Sequence, residues 1–424
     1  MKFKSLKEKN IFYHFPSLLF SLIPFFLITG SFLSDLSVTL ISLIFLIYCI
    51  KEKNFSYFKN KYFYFFLIFW AYLMINSLIN SFIHNFNNDG LGNSIVYIRY
   101  AVFVIAIVAL LNFDSQFIKY FFYCIFICFT SLVLDGFYQY FNGENILGWK
   151  NSSRTSSFFG DEMILGSYLS RLWPIFFGLS IFIFKSKNKL FFLLILIFIL
   201  SEALIFLSGD RSAFFYINLS AIFVIFFSQN LLKLRIFTLL SSILLLMIIS
   251  FVNPIAKERV FDQTISQMNV FDQKKNGKLY IFTKTHNEIY ISATKMFLDN
   301  KILGIGLKNF RNLCNNPKYH VNKWDHCYSH PHNTYIQILA ETGVIGFLFL
   351  LILVFYFSKN IFYHLILKFK RKHYFNDFEI CILSGILIYL WPIVPTGNFF
   401  NNWLSIIMIL NLPFLIWSRQ LINK

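Results

Sequence analysis

The sequence predicts an all-α polytopic membrane protein with about twelve transmembrane helices and one large loop on the outer side. Hydrophobic residues make up 57% of the 424 residues, aromatic residues make up 21%, and the mean hydropathy is +0.60. These values exclude a soluble globular protein. Apolar segments long enough to cross a bilayer recur along the chain, and basic residues concentrate in alternate connections between them.

The apolar segments define the predicted spans, because a membrane helix needs about 20 mostly apolar residues. Positions 16–30 resemble the apolar part of a signal peptide, but no small-residue cleavage site follows, so we expect an uncleaved first span. The predicted spans are 11–30, 32–50, 62–83, 94–112, 118–136, 162–184, 190–207, 212–228, 235–251, 334–357, 378–395 and 402–418.

The distribution of Lys and Arg predicts the orientation of these spans. With the N-terminus inside, the inside connections hold 21 Lys and Arg, whereas the short outside loops hold only Lys150, Arg154 and Arg211. This excess indicates a cytoplasmic N-terminus and places the long loop outside. The net charge of +18 then reflects topology and attraction to the cytoplasmic leaflet. Basic residues scattered over several short loops do not favour nucleic-acid binding.

The chain is expected to form one membrane domain that carries a loop subdomain. We expect a bundle of about nine spans over 1–251, the loop subdomain over 252–333 and about three further spans over 334–424. The first part of the loop, 253–285, is polar and Lys-rich and shows no clear period.

A helix is predicted in the second half of the loop, between Asn287 and Asp299. One face of it is apolar, so we expect an amphipathic helix that lies on the membrane surface; the residues of that face are Ile289, Ala293, Met296 and Phe297. The segment 304–306 (Gly-Ile-Gly) is predicted to end this helix as a turn. It does not follow a strand, so it is not a nucleotide-binding fingerprint.

Two of the six cysteines, Cys314 and Cys327, lie in the outside loop. Because that compartment is oxidising, we predict a disulfide between them that holds the segment leading to His330. The alternatives are two free thiols, or a zinc site completed by His320 and His326. The other four cysteines lie in or near spans and are interpreted as small core residues: Cys49, Cys124, Cys128 and Cys381.

The segment His330–Asn333 (His-Pro-His-Asn) is the strongest candidate for chemistry. It closes the long polar loop, and an apolar helix begins directly after it. Two imidazoles one residue apart can handle protons near neutral pH, and the N-terminus of the following helix favours anions. On position alone, a polar cap at a helix start explains the segment equally well.

Arginines at the same membrane face are the second group of candidates. Arg211 follows Ser208-Gly209-Asp210 between the seventh and eighth spans, and a guanidinium suits phosphate oxygens. Arg154 lies in a polar patch before the sixth span. The alternatives without a catalytic or binding role are a snorkelling arginine for Arg211 and an ordinary polar loop for Arg154.

Three charged residues fall inside predicted spans, where a charge is expensive and is usually functional or paired. These are Arg99, Arg171 and Glu202. Asp161 or Glu162 is the expected partner of Arg171, and Glu202 is expected to be a structural partner or a part of the site.

The segment His330–Gln337, with Leu339–Gly343 and Gly346, closely resembles the signature of the O-antigen ligase and O-antigen polymerase superfamily. The resemblance extends over about residues 150–405. Three further segments match the superfamily in order: Ser208–Ala213, Ala293–Arg311 and Pro395–Trp403.

This resemblance implies a helical membrane bundle with a large periplasmic loop. It also implies that a glycan moves from undecaprenyl diphosphate to an acceptor hydroxyl, with no metal or other cofactor and with inversion at the anomeric carbon. His332 would be the general base, Arg211 would bind the leaving diphosphate, and His330 would orient His332. Asn333 and Arg154 are the further expected substrate-binding residues.

One position departs from the superfamily pattern. Members often carry a second arginine shortly before the loop helix, whereas this chain has His286 there. A protonated His286 would bind the diphosphate less well above neutral pH. Arg259 and Arg311 are the alternative sources of this second positive charge.

Several functions remain open within and beyond the resemblance. We expect a ligase of the bacterial inner membrane that uses lipid A-core as acceptor. A polymerase would use a second lipid-linked repeat, and a protein O-oligosaccharyltransferase would use a Ser or Thr. The alternative from another class is a bicarbonate-type transporter, which would show paired charges or broken helices near the bilayer midplane. The candidate residues instead gather at the outer face.

Overall fold

The computed structural model describes residues 10–84, 89–150, 154–184, 189–230, 232–252, 258–267, 282–321 and 327–422. Seventeen α-helices are described in these ranges. They are α1 Phe15–Thr29, α2 Ser31–Lys51, α3 Lys61–His84, α4 Asp89–Val96, α5 Arg99–Phe113, α6 Phe117–Asn142, α7 Leu165–Ile183, α8 Lys189–Ser208, α9 Arg211–Phe227, α10 Leu232–Val252, α11 Gln263–Gln267, α12 Lys284–Asp299, α13 Phe310–Leu313, α14 Thr334–Phe369, α15 Asp377–Leu390, α16 Asn402–Ile409 and α17 Asn411–Ile422.

A polytopic helical membrane protein is confirmed at the level of helix length and composition. Within the described ranges, 8 helical segments are long and apolar enough to cross a membrane. Three shorter apolar helices lie at the predicted seventh, eighth and ninth spans, and α15 overlaps the predicted eleventh. The eight segments are Phe12–Thr29, Ser31–Lys51, Lys61–Ile83, Gly90–Phe113, Phe117–Asn142, Leu165–Ile183, Thr334–Phe369 and Asn402–Leu421.

Aromatic side chains form much of the bundle core. Phe20 of α1 stacks on Phe121 of α6 at 4.8 Å between ring centroids and also contacts Phe103 and Phe414. Lipid tails are as apolar as these rings, so close packing and polar contacts, rather than removal from water, select this arrangement in a bilayer. One such polar contact is the ion pair between Arg99 and Asp35 at 2.6 Å, so this charge within a predicted span is paired.

Helices α7, α9 and α15 pack on one another and support the outer face. Gly166 lies at the start of α7, where a Cβ would come within 2.9 Å of Asp210 Cβ, so the two helix starts meet closely. Deeper in the bundle, the hydroxyls of Ser220 and Ser384 are 2.8 Å apart and join α9 to α15. These contacts bring the N-terminus of α9 and the segment after α15 to the same end.

The predicted loop helix forms as α12, but its environment differs from the prediction. Its buried face packs against protein, in a cluster that includes Phe310, Cys314 and Ala340, so the expectation of a membrane-surface helix was wrong. Tyr290 is buried in that face, whereas Phe297 is only partly covered. The apolar face of α12 packs against the first half of α14, and this protein surface covers it in place of lipid.

A break inside α14 receives the Gly-Ile-Gly segment. Gly343 has φ +64°, and the helical conformation of α14 is interrupted there. The amides of Ile305 and Gly306 donate to the carbonyls of Ala340 and Glu341, both at 2.9 Å. A Cβ on Gly304 would lie 2.5 Å from the Gly343 nitrogen, so the two backbones meet only because both residues are glycine. The predicted turn is therefore also a docking segment.

Cys314 and Cys327 form a disulfide, with 4.9 Å between their Cα atoms. His320 is described and lies partly buried, whereas His326, the other histidine of the zinc alternative, lies outside the described residues. Most of the polar stretch predicted over 253–285 also lies outside them.

Candidate functional site

The histidine segment is held in place by backbone contacts at the start of α14. Asn333, rather than Pro331, caps the helix: its side-chain oxygen accepts hydrogen bonds from the amides of Tyr335 and Ile336 at 3.0 and 3.2 Å. The backbone of His332 has φ +55°, an uncommon conformation for a residue with a side chain. The Thr396 amide donates to the His332 carbonyl at 2.8 Å and stabilises this conformation.

Three imidazoles converge at this point. The ring centroid of His332 lies 4.0 Å from that of His330 and 5.7 Å from that of His286, which projects from the first turn of α12. Tyr328 approaches His332 from the other side at 5.7 Å. Residues from two distant parts of the loop thus meet at the N-terminus of a membrane helix.

The surroundings of the three histidines favour their neutral forms. Burial, with the nearby His332, lowers the pKa of His330 to about 3. Burial, with the charges of His332 and Arg211, lowers the pKa of His286 to about 4. Burial also lowers the pKa of His332 from its ordinary value. At neutral pH the site therefore holds unprotonated imidazoles, which accept protons, and the protonated His286 considered from the sequence is not the favoured form.

Arg211 lies at the start of α9, within electrostatic range of His286. Asp210 caps that helix by accepting from the Ala213 amide at 3.1 Å. Nη1 of Arg211 donates to Thr264 and Gln267 of α11 at 3.2 and 2.9 Å. Among the described residues, its other nitrogens have no hydrogen-bond partner, so they are available to a bound anion.

Arg154 is close enough to Arg211 for the two charges to repel each other. A buried polar network fixes the loop that carries Arg154: Gln139 accepts from the amides of Ser156 and Ser157 at 2.9 and 2.7 Å. Asp135, one turn earlier on α6, accepts from the Ser157 hydroxyl at 2.5 Å. Two guanidinium groups within electrostatic range of each other are suited to binding an anion.

Sequence reasoning did not single out Asp135 and Gln139. Both lie in the last part of α6, and both are almost fully buried. Their spacing of four residues, at the end of an apolar span, was the available signal, because such a pair shares one helix face.

A second buried polar cluster, also missed, lies behind the histidines on α14. Gln337 donates to Glu341 at 3.1 Å and to Asn398 at 2.8 Å, and its oxygen accepts from the Phe399 amide at 2.9 Å. The cluster ties the segment after α15 to α14. The four-residue spacing of Gln337 and Glu341 within an apolar span was again the usable signal.

The remaining predicted residues are placed less directly. Arg311 is exposed on α13, and its charge contributes to the lowered pKa of His330. The side chain of Arg259 lies outside the described part of the chain. Glu202 is buried in α8 and interacts with Ser242 of α10, away from the histidines.

Arg171 does not pair with Asp161 or Glu162, so that expectation was wrong. Its guanidinium lies between the rings of Tyr216 and Tyr389 instead.

Comparison with known families agrees with this geometry. Residues 192–351 match the family described as O-antigen ligase. This match supports a relation to the O-antigen ligase and O-antigen polymerase superfamily over that part of the chain. The matched region contains Arg211, His286, His330 and His332, and it ends within α14, so Arg154 and the segment after α15 lie outside it. A search of curated proteins gave no match to the chain.

Members of this family transfer glycans, and their substrates are a lipid-linked glycan and an acceptor. The long apolar helices and this match together indicate a multi-pass membrane protein. Neutral imidazoles within electrostatic range of an arginine suit such a reaction, since one group must accept a proton while another binds an anion.

Proposed function

We propose that this protein is an O-antigen ligase-like glycosyltransferase. It moves a glycan from undecaprenyl diphosphate to a hydroxyl of lipid A-core, without a metal or other cofactor. The observation that carries the proposal is that His286 lies against His332, with ring centroids 5.7 Å apart, and within electrostatic range of Arg211.

The proposed topology follows from the charge distribution and the site. The protein spans the bacterial inner membrane about twelve times with a cytoplasmic N-terminus. The subdomain 252–333 then lies in the periplasm, between the bundles 1–251 and 334–424. This arrangement puts the histidines and Arg211 at the periplasmic face, where a lipid-linked donor presents its diphosphate near the headgroups.

His332 is the proposed general base. Its ring nitrogen takes the proton from the acceptor hydroxyl while that oxygen bonds to the anomeric carbon and the bond from this carbon to the phosphate oxygen breaks. Undecaprenyl diphosphate leaves with the electron pair, and the proton on His332 later passes to solvent. Single displacement inverts the anomeric carbon.

Arg211 and Arg154 bind the diphosphate in this proposal. The free nitrogens of Arg211 form hydrogen bonds with phosphate oxygens, and Arg154 supplies the second positive charge that the superfamily takes from a loop arginine. Binding a dianion between the two guanidinium groups removes their mutual repulsion. His286 remains neutral in the free site and donates one hydrogen bond to the bound diphosphate.

The other residues support this pair. His330 packs its ring against that of His332 and limits how that ring rotates. Asn333 fixes the helix start, and its amide nitrogen donates to the Pro392 carbonyl at 2.8 Å. Arg311 contributes positive potential from the rim. Arg259 stays a candidate at the loop side of the site.

The membrane-transporter alternative is less well supported. The break in α14 does resemble the interrupted helices of transporters. However, the backbone of residues 304–306 occupies it and takes the carbonyls that would otherwise bind an ion. We therefore favour transfer chemistry.

Deletion of the gene, followed by analysis of the lipopolysaccharide, tests the proposed function. A ligase deletion should remove all long glycan from lipid A-core and accumulate lipid-linked polymer. Core that carries one repeat would instead indicate a polymerase. Unchanged lipopolysaccharide with the loss of a glycoprotein would indicate a protein O-oligosaccharyltransferase, and unchanged glycans of every kind would contradict the proposal.

A further inference from the structure

Arg171 is a buried cation that the proposed reaction does not yet use. It lies on α7 with 4% of its surface exposed, inside one of the candidate membrane spans. Its Nε donates to Ser167 at 3.1 Å. Among the described residues, no carboxylate forms an ion pair with it, although the charge of Asp210 acts on it from a longer distance.

Two tyrosine rings hold the guanidinium. The central carbon of Arg171 is 4.7 Å from the ring centroid of Tyr216 on α9 and 4.7 Å from that of Tyr389 on α15. A planar guanidinium stacks on two rings in a way that a lysine ammonium does not reproduce. Arg171 therefore joins α7, α9 and α15 at one level of the bundle.

Both tyrosines connect this level to the segment after α15, 391–397. The Tyr216 hydroxyl donates to the Pro395 carbonyl at 3.4 Å, and Tyr389 is the last residue but one of α15, directly before the segment. The next residue, Leu390, accepts from the Tyr335 hydroxyl at 2.5 Å.

The same segment fixes the backbone of His332. The Thr396 amide, adjacent to Pro395, donates to the His332 carbonyl at 2.8 Å. The left-handed conformation of His332 is unfavourable for a residue with a side chain, so it persists only where neighbouring contacts hold it. The path from Arg171 through Tyr216, Pro395 and Thr396 reaches that contact.

We propose that Arg171 is a positioning residue for His332, because it clamps Tyr216 and Tyr389 and thereby holds the 391–397 segment against the histidine. This inference rests on the proposed function for its effect on catalysis, but not for its effect on the segment. A buried charge in a membrane helix is expensive, and its retention between two rings is explained by this clamp.

The test compares Arg171→Met and Arg171→Lys in the full-length protein in proteoliposomes, with an undecaprenyl-diphosphate-linked glycan as donor and rough lipopolysaccharide as acceptor. Arg171→Met should lower kcat at least tenfold and change the KM for the donor less than twofold. Arg171→Lys should recover part of kcat, because an ammonium can still form a cation–π contact with one ring. Tyr216→Phe, which loses only the hydroxyl, should lower kcat by a smaller factor.

Arg419→Met is the matched control. Arg419 also stacks on two rings, at 4.3 Å from Tyr374 and 5.2 Å from Phe375, but these residues precede α15 at its opposite end. This variant should lose thermal stability to a similar degree and keep the wild-type kcat. Equal loss of kcat in Arg419→Met and Arg171→Met would overturn the proposal, because general loosening of α15 would then explain both.

Hydrogen exchange separates this inference from the proposed function. Amides over 391–397 should exchange faster in Arg171→Met than in wild type, while the amides of α7 stay protected. Unchanged exchange in that segment would overturn the clamp even if the enzyme transfers glycan. Faster exchange in a protein whose wild type transfers no glycan would support the clamp and overturn only the proposed reaction.

Discussion

Two histidines at opposite ends of α14 differ in how their rings are held. His364 is fully buried near the C-terminal end, and both of its ring nitrogens are occupied: Nε2 lies 3.0 Å from the Phe227 carbonyl, and Nδ1 accepts from the Phe375 amide at 3.1 Å. His332 precedes the N-terminal end; its ring interacts with the Thr396 backbone, and among the described residues no other hydrogen bond reaches that ring. A ring with both nitrogens occupied fixes packing, whereas a ring with one nitrogen unoccupied can still accept a proton.

Replacing each histidine by alanine should have opposite consequences for glycan transfer and for stability. His332→Ala should lower glycan transfer by about 10²- to 10⁴-fold, the usual contribution of a general base, and leave the melting temperature nearly unchanged. His364→Ala should lower stability by about 1–3 kcal/mol, because it leaves the Phe375 amide without its partner, and it should keep the kcat of the folded fraction. Transfer assays and thermal unfolding in detergent measure both. Full activity in His332→Ala would refute the general-base role.

Arg211 and Arg154 should give the next largest effect. Arg211→Gln should lower kcat and kcat/KM together by about 10²-fold, since its contacts strengthen as the diphosphate leaves. Arg154→Gln should be milder, and we expect it to act mainly on the KM for the donor. Steady-state kinetics with varied donor distinguish the two. A larger loss in Arg154→Gln than in Arg211→Gln would reverse the assigned roles.

The pH dependence should be smaller but diagnostic. In the proposed reaction the neutral form of His332 is the base, and burial lowers its pKa, so kcat/KM should stay level as the pH falls to about 6.5 and decline only below that. Stability should fall over the same range, because the unfolded chain binds protons near pH 6.5 while His286 and His330 resist protonation until about 4 and 3. A pH–rate profile whose acid limb lies above pH 6.5 would contradict the buried, neutral site.

The disulfide should have the smallest effect on catalysis. Replacing Cys314 and Cys327 by serine removes a cross-link over 13 residues, which is worth about 3 kcal/mol in the chain-entropy description. The loss should appear as earlier local unfolding of the loop in hydrogen exchange, with transfer lowered by less than about threefold, since α12 and the 304–306 segment still hold the histidines. Complete loss of transfer in the folded variant would show that the cross-link itself shapes the site.

The helices and the histidine end were predictable because long apolar segments and an isolated polar motif are strong signals. Helices overlap the spans predicted from hydropathy, and the motif at His330–Asn333 lies where α14 begins. The partners of Arg171 were not predictable, because Tyr216 and Tyr389 are far from it in sequence. Tyrosines in spans are also usually interpreted as interfacial residues. The apolar face of α12 was predicted correctly, but the surface that packs against it was not. An apolar stripe in the sequence does not reveal whether protein or lipid lies against it.

The Gly343 break has a consequence for protein engineering. The amides of Ile305 and Gly306 donate directly to the carbonyls of Ala340 and Glu341, so this part of the fit between subdomain and helix depends on the backbone of both. Chimeras that exchange the loop alone between relatives would have to recreate this backbone match across the junction. An exchange that keeps 282–346 intact carries both halves of the match together, and grafts cut at those points are the ones we expect to fold.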